Sequence, residues 1–109
     1  MKLVFVTAPS DFAEELVTKV VSENLAACGT VAQGVVSVYR WQGTIERSVE
    51  AQIMLKTSNA MASRLIARIA KLHPYDVPEI VAVDAFEVHP AYALWVENST
   101  QTRDDLEEM

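Results

Sequence analysis

The sequence predicts an α+β domain: a four-stranded antiparallel sheet with two helices on one face and a further helix at the C-terminal end. Three observations predict it. Apolar periodicity switches between strand-like and helix-like segments in the order β-α-β-β-α-β, then helix. Ile45 to Thr57 keeps a two-residue period with one mainly apolar face, just after the turn residues Gln42 and Gly43, so a long hairpin sits at the centre of the chain. His73-Pro-Tyr-Asp-Val-Pro-Glu79 places two prolines around a short polar segment, which stiffens the passage from the second helix into the last strand.

Lys2 to Thr7 is apolar and rich in β-formers, as expected of a strand buried on both faces. Ala8-Pro9 ends it. Ser10 or Asp11 can cap the first helix, and Asp11 with Glu14 forms a loose capping box. Ala13, Leu16, Val17, Val20, Val21 and Leu25 recur at helical spacing, which predicts a helix over 11–24 ending at Asn24, a residue that tolerates left-handed backbone. Leu25 to Gly29 reads as a small apolar connection.

A strand is predicted over 30–41, with Gly34 marking a bulge or bend. Beyond Gly34, Ser37, Tyr39 and Trp41 share one face and Val36, Val38 and Arg40 the other. In the return strand Ile45, Arg47, Val49, Ala51, Ile53, Leu55 and Thr57 form one face, and Glu46, Ser48, Glu50, Gln52, Met54 and Lys56 the opposite one. Ser58 or Asn59 can cap the second helix, whose stripe is Met61, Leu65, Ile66, Ile69 and Leu72. The fourth strand is expected over 80–86. Pro90 opens a short helix bearing Tyr92, Leu94 and Trp95, and the chain then turns polar and acidic. The expected division is one domain over 1–98 and an acidic tail over 99–109. This element order is the split β-α-β arrangement of ferredoxin-like folds, in which two right-handed crossovers put both helices on one face.

The hairpin is long for its domain. A strand of about thirteen residues at ~3.3 Å each reaches roughly 43 Å, whereas a compact chain of this length has a diameter of only ~34 Å. A straight hairpin overhangs the domain and bares Tyr39, Trp41, Ile45 and Val49, and a second copy of the chain is the simplest cover. The alternative is a hairpin bent at Gly34 and folded back over its own core.

Bulk properties exclude several function classes. The 109 residues carry a net charge of −6, which argues against a nucleic-acid surface. No apolar run is long enough to span a membrane. The lone Cys28 cannot form an intrachain disulfide and belongs to no Cys-x-x-Cys motif. With no signal sequence at the start, the expected compartment is the cytoplasm. Three glycines cannot build a phosphate cradle, and a Cys28–His73 nucleophile pair has little support because Cys28 sits in an apolar setting. Glu46 and Glu50 share a strand face and read as a solvated or salt-bridged pair. His73 and His89 are the only imidazoles. One histidine among carboxylates makes a weak site for a borderline metal ion, and a hydrogen-bonded structural His73 is the other reading. Tyr39, Trp41 and Trp95 suit either a pocket wall or an interface.

Several stretches together resemble the CutA family of divalent-ion tolerance proteins: Val6-Thr-Ala-Pro9, Leu25-Ala-Ala-Cys28, Ser37-Val-Tyr-Arg-Trp-Gln-Gly43, Lys56-Thr57, His73 to Glu79 and Tyr92-Ala-Leu-Trp95. The resemblance covers most of the chain. It implies a homotrimer packed around its long hairpins, similar in fold to the PII signalling trimers, and a non-enzymatic role in tolerance of divalent metals, copper especially. Some bacterial members carry a cysteine before Thr-Ala-Pro and two adjacent histidines before Pro-Tyr. Here those positions hold Val6 and Leu72–His73, which implies that Cu²⁺ or another divalent cation binds only weakly, through His73. The family's inter-subunit clefts correspond here to Tyr39, Trp41, Glu50, Lys56, His73, Tyr75, Glu79 and Trp95. A trimeric scaffold, or a PII-like small-ligand sensor with no physiological metal site, is the alternative.

Overall fold

A computed structural model describes residues 1–101, and the elements follow the expected order. Strand β1 spans Lys2–Ala8, helix α1 Ala13–Ser22, β2 Cys28–Trp41, β3 Thr44–Thr57, α2 Ala62–Leu72, β4 Ile80–Asp84 and α3 Pro90–Ser99. The strands lie in the order β2-β3-β1-β4, with every neighbouring pair antiparallel.

The core lies between the sheet and the helices α1 and α2. Val4, Val6 and Ala8 of β1 and Ala51, Ile53 and Leu55 of β3 alternate onto one face, where they meet Ala13, Leu16 and Val20 of α1 and Leu65 and Ile69 of α2. Each of these side chains is buried. At Gly29 a side chain of α1 packs closely on the sheet. A Cβ there would stand 2.6 Å from Leu55 Cδ2 and 2.8 Å from Val17 Cγ1, so an added methyl would have to push both side chains aside.

Element ends differ from the sequence expectation where local hydrogen bonds compete. The N–H groups of Phe12 and Ala13 both donate to Pro9 O. The proline turn thus satisfies the first orphan donors of α1, no capping box forms, and the helix starts at Ala13. At its other end Asn24 takes a φ of 61°, as expected. Cys28 and Gly29 belong to β2, paired with Lys56 and Leu55. Ser58 Oγ accepts from Met61 N at 3.3 Å, just ahead of α2. The last strand stops at Asp84, opposite Lys2 where β1 begins, the Ala85 N–H donating to Met1 O, and Phe86 beyond it is 94% exposed. Helix α3 continues to Ser99 and is closed by Thr100, a buried residue whose Oγ1 donates to Val96 O at 2.9 Å. Of the acidic tail expected over 99–109, residues 102–109 lie outside the described residues. Among the described residues no helix is long and apolar enough to cross a membrane.

The hairpin does overhang. The β1–β3 ladder ends at the pair Ala8–Ala51, and beyond it Val35 to Trp41 and Thr44 to Glu50 pair only with each other. The subunit measures 52 × 27 × 22 Å, so the hairpin runs on instead of folding back. Gly34, with φ of 72°, accommodates the bulge between Ala32 and Val35. Gln42 and Gly43 both take positive φ at the tip, as a two-residue hairpin turn requires.

Candidate functional site

Where the overhang begins, the hairpin and the proline-bracketed segment form a cavity of about 680 Å³. Its lining includes Thr7 from the end of β1, Ser37, Tyr39 and Trp41 from β2, Ser48 and Glu50 from β3, and Tyr75, Val77 and Glu79 from the segment after α2. The strand period explains the hairpin's part. Ser37 pairs with Ser48, Tyr39 with Glu46 and Trp41 with Thr44, so their side chains share the face that carries Glu50. The opposite face carries Val36, Val38, Ile45 and Val49, which continue the helix-facing side of the sheet past the last helix.

Glu50 is the centre of the site. Only 6% of its surface is exposed. One carboxylate oxygen accepts from the Tyr75 hydroxyl at 2.9 Å and the other from Ser37 Oγ at 2.8 Å. This corrects the expectation of a solvated or salt-bridged Glu46–Glu50 pair. Glu46 is exposed and accepts from Thr44 Oγ1, while Tyr75 arrives from far along the chain and covers Glu50 instead. Tyr75 in turn has its phenol pushed up to about 12, first by partial burial and then by its hydrogen bond to Glu50 and that carboxylate's charge.

His73 holds this arrangement in place. It is 7% exposed. The backbone N–H of Tyr75 donates to Nδ1 at 3.2 Å, so Nδ1 carries the lone pair, and in the neutral ring Nε2–H donates to Thr7 O at 2.7 Å. The imidazole thus ties the end of β1 to the segment that brings Tyr75 over Glu50. The His73 and Tyr75 rings lie 4.7 Å apart, tilted by 56°. The proline-bracketed segment works as a clamp: Pro74 pushes His73 out of helical geometry, to φ −69° and ψ 136°, and the ring folds back onto the strand.

Of the residues singled out in the sequence, Tyr39, Trp41, Glu50, Tyr75 and Glu79 meet at this cavity, with His73 directly behind Tyr75. Lys56 and Trp95 do not line it. Lys56 pairs with Leu3 and Cys28 deep in the sheet, and Trp95 stacks obliquely on Tyr92 with ring centres 5.6 Å apart. Tyr92 OH lies 3.4 Å from Cys28 Sγ, and that contact, followed by burial, pushes the phenol up to about 12. Cys28 is thereby paired away from His73. Sequence reasoning missed Ser37 and Ser48 as part of the site. The signal was available: two serines fall directly opposite one another on a face whose other members are aromatic or acidic. The Ser48 hydroxyl is covered from water and has no hydrogen-bond partner among the described residues, an arrangement that costs ~1–3 kcal/mol. Among the described residues, no three His, Cys, Asp or Glu side chains converge as a metal-binding group.

Fold and site define a ferredoxin-like subunit with an overhanging hairpin and a polar-aromatic cleft at its root. The chain belongs to the family of the CutA1 divalent ion tolerance protein, whose model matches residues 2–99. It is 37% identical to the divalent-cation tolerance protein CutA of Thermus thermophilus over 91% of this chain and 97% of that protein. It is 34% identical to the mouse protein CutA over 90% of this chain, and spans only 56% of the mouse protein's length. Among solved structures, CutA from Xylella fastidiosa superposes with a TM-score of 0.89 at 40% identity, covering 92% of this chain and 97% of that one. A Nostoc CutA described as PII-like gives 0.89 at 30% identity, covering 93% and 98%.

Proposed function

We propose that this chain is a non-enzymatic, cytoplasmic, homotrimeric divalent-cation tolerance protein whose working part is the cleft around Glu50. The observation that carries the reading is the Thr7–His73–Tyr75–Glu50–Ser37 chain of hydrogen bonds, which holds a buried carboxylate at the floor of an aromatic-walled cavity. Such a floor is preorganised for a ligand and is more than a linker between helix and strand requires. The bare apolar face of the hairpin, with Val38 65% and Ile45 62% exposed, supports assembly, because an uncovered strand pair of this kind invites association. In the trimer, Lys56 and Trp95 join the cleft from a neighbouring subunit.

Copper or another divalent cation binds weakly on this reading. The lone pair a metal can take on His73 is that of Nδ1, and taking it displaces the Tyr75 N–H. Native mass spectrometry with rising Cu²⁺ tests this. Saturable uptake of three ions per trimer, lost in His73→Ala, is the expected result. Graded, non-saturating adducts that His73→Ala leaves unchanged would remove metal from the account and leave a small-ligand sensor.

A further inference from the structure

We infer that Glu50 takes its counter-charge from Lys56 of the partner subunit, so that the cleft is complete only in the assembled protein. The inference rests on the reading of the cleft as a site shared between subunits and names the contact that joins them.

Glu50 calls for a cation, and its own subunit supplies none. Its carboxylate is buried, and its two donors, Tyr75 and Ser37, are neutral hydroxyls. A carboxylate shielded from water is costly unless a cation meets it. The ion pairs among the described residues are Lys2–Asp84 and Arg68–Glu23, neither of which reaches it. Arg40 is in the cavity lining, but it pairs with Ile45 on the other face of the hairpin and forms no ion pair with Glu50. Arg47 pairs with Val38 on that other face too.

The sheet itself selects the cation. Its face away from α1 and α2 runs from the start of β1 to the hairpin tip. Leu3, Phe5, Met54, Val81 and Val83 make it apolar, and Val81 and Val83 are still 48% and 40% exposed in the single subunit. The charged strand residues on this face are Glu46, Glu50 and Lys56, with Glu79 following in the cavity lining. Lys56 is thus the one cation the strands present there. It is half-buried and takes part in no ion pair among the described residues. It lies six residues beyond Glu50 on β3, about 20 Å along the strand, so the two side chains cannot meet within one subunit. They meet when one copy lays the Lys56 end of this face over the hairpin root of the next. That contact is head to tail, the kind that closes into a ring, and it covers the Tyr39 and Trp41 rings in the same step.

A double-mutant cycle on the trimer tests the pairing, with dissociation followed by analytical ultracentrifugation in graded urea. Glu50→Gln keeps the side chain's shape and Lys56→Met keeps its apolar stem. Each should shift the equilibrium towards monomer by about a hundredfold, since each leaves one buried charge alone. The double variant should lose no more than either single variant, because no unpaired charge remains. Arg47→Met, on the other face of the same strand, should show no coupling to Glu50→Gln. Circular dichroism should show the subunit fold kept in every variant; if Glu50→Gln unfolds, its rescue by Lys56→Met is the expected result instead. Additive losses, absence of that rescue, or a single variant that assembles as tightly as the unmodified chain would overturn the pairing and leave the assembly reading standing. An unmodified chain that is monomeric would overturn the shared-cleft reading itself.

Discussion

The two halves of β3 have the same alternating pattern and opposite fates. In the inner half Ala51, Ile53, Leu55 and Thr57 are wholly buried under α1 and α2. In the outer half Ile45 and Val49, on the same face of the same strand, are 62% and 54% exposed. The difference is what lies across from them: β1 stops at Ala8, and among the described residues no further strand pairs with the hairpin beyond that point. Periodicity therefore tells which side chains share a face, while length relative to the domain tells whether that face is covered within the chain or by another copy.

Paired substitutions break this comparison most sharply. Ile53→Ala should cost the subunit about 2–5 kcal/mol through lost burial and a residual cavity, seen as a lower denaturation midpoint. Val49→Asp, four residues away on the same face, should leave the subunit's circular dichroism unchanged while driving the species seen by analytical ultracentrifugation to monomer. A loss of secondary structure in Val49→Asp would mean the outer half is part of the subunit's own core. Gly29→Ala acts on the inner half by overpacking. With Leu55 and Val17 both within 3 Å of the new methyl, a loss of about 1–3 kcal/mol is expected, measurable by chemical denaturation.

At the junction of the halves the effects are smaller. Tyr75→Phe removes one of two donors to Glu50 and should cost about 1 kcal/mol, with the trimer intact by ultracentrifugation. Alkaline pH probes the same contact. The Tyr75 phenol is raised to about 12 in the folded state, against an ordinary value of 10. The folded chain thus holds this proton after the unfolded chain has released it. The stability contributed is complete below pH 10 and is lost progressively as pH rises towards 12. Tyr92, also raised to about 12, adds a loss of the same sign. Unfolding midpoints followed from pH 9 upward should fall, and fall less in Tyr75→Phe. An identical fall in both proteins would place Tyr75 outside the buried contact.

Much of this was legible in the sequence because it rests on local chemistry. The two-residue period from Ile45, the positive φ at Gly34, Gly43 and Asn24, and the stiffness imparted by Pro74 and Pro78 all rest on local residue types. The overhang followed from length alone. Glu50 was harder to read. Its burial depends on Tyr75, a residue on another element, and no local pattern separates it from the exposed Glu46 four positions earlier. The family resemblance placed Glu50 in a cleft where the strand pattern put it in solvent. The start of α1 was misplaced because Pro9 O satisfies the N–H groups that Asp11 and Ser10 were expected to cap. Lys56 and Trp95 belong with the cleft by resemblance, yet within one subunit they stand apart from it.

The central claim is that the outer half of the hairpin is covered by other copies of this chain. Native mass spectrometry of the unmodified protein at micromolar concentration tests it most directly. The expected result is a single dominant species at three times the 12.1 kDa chain mass, persisting on dilution. A protein that stays monomeric and soluble under those conditions, with Val38, Ile45 and Val49 bare, would contradict it.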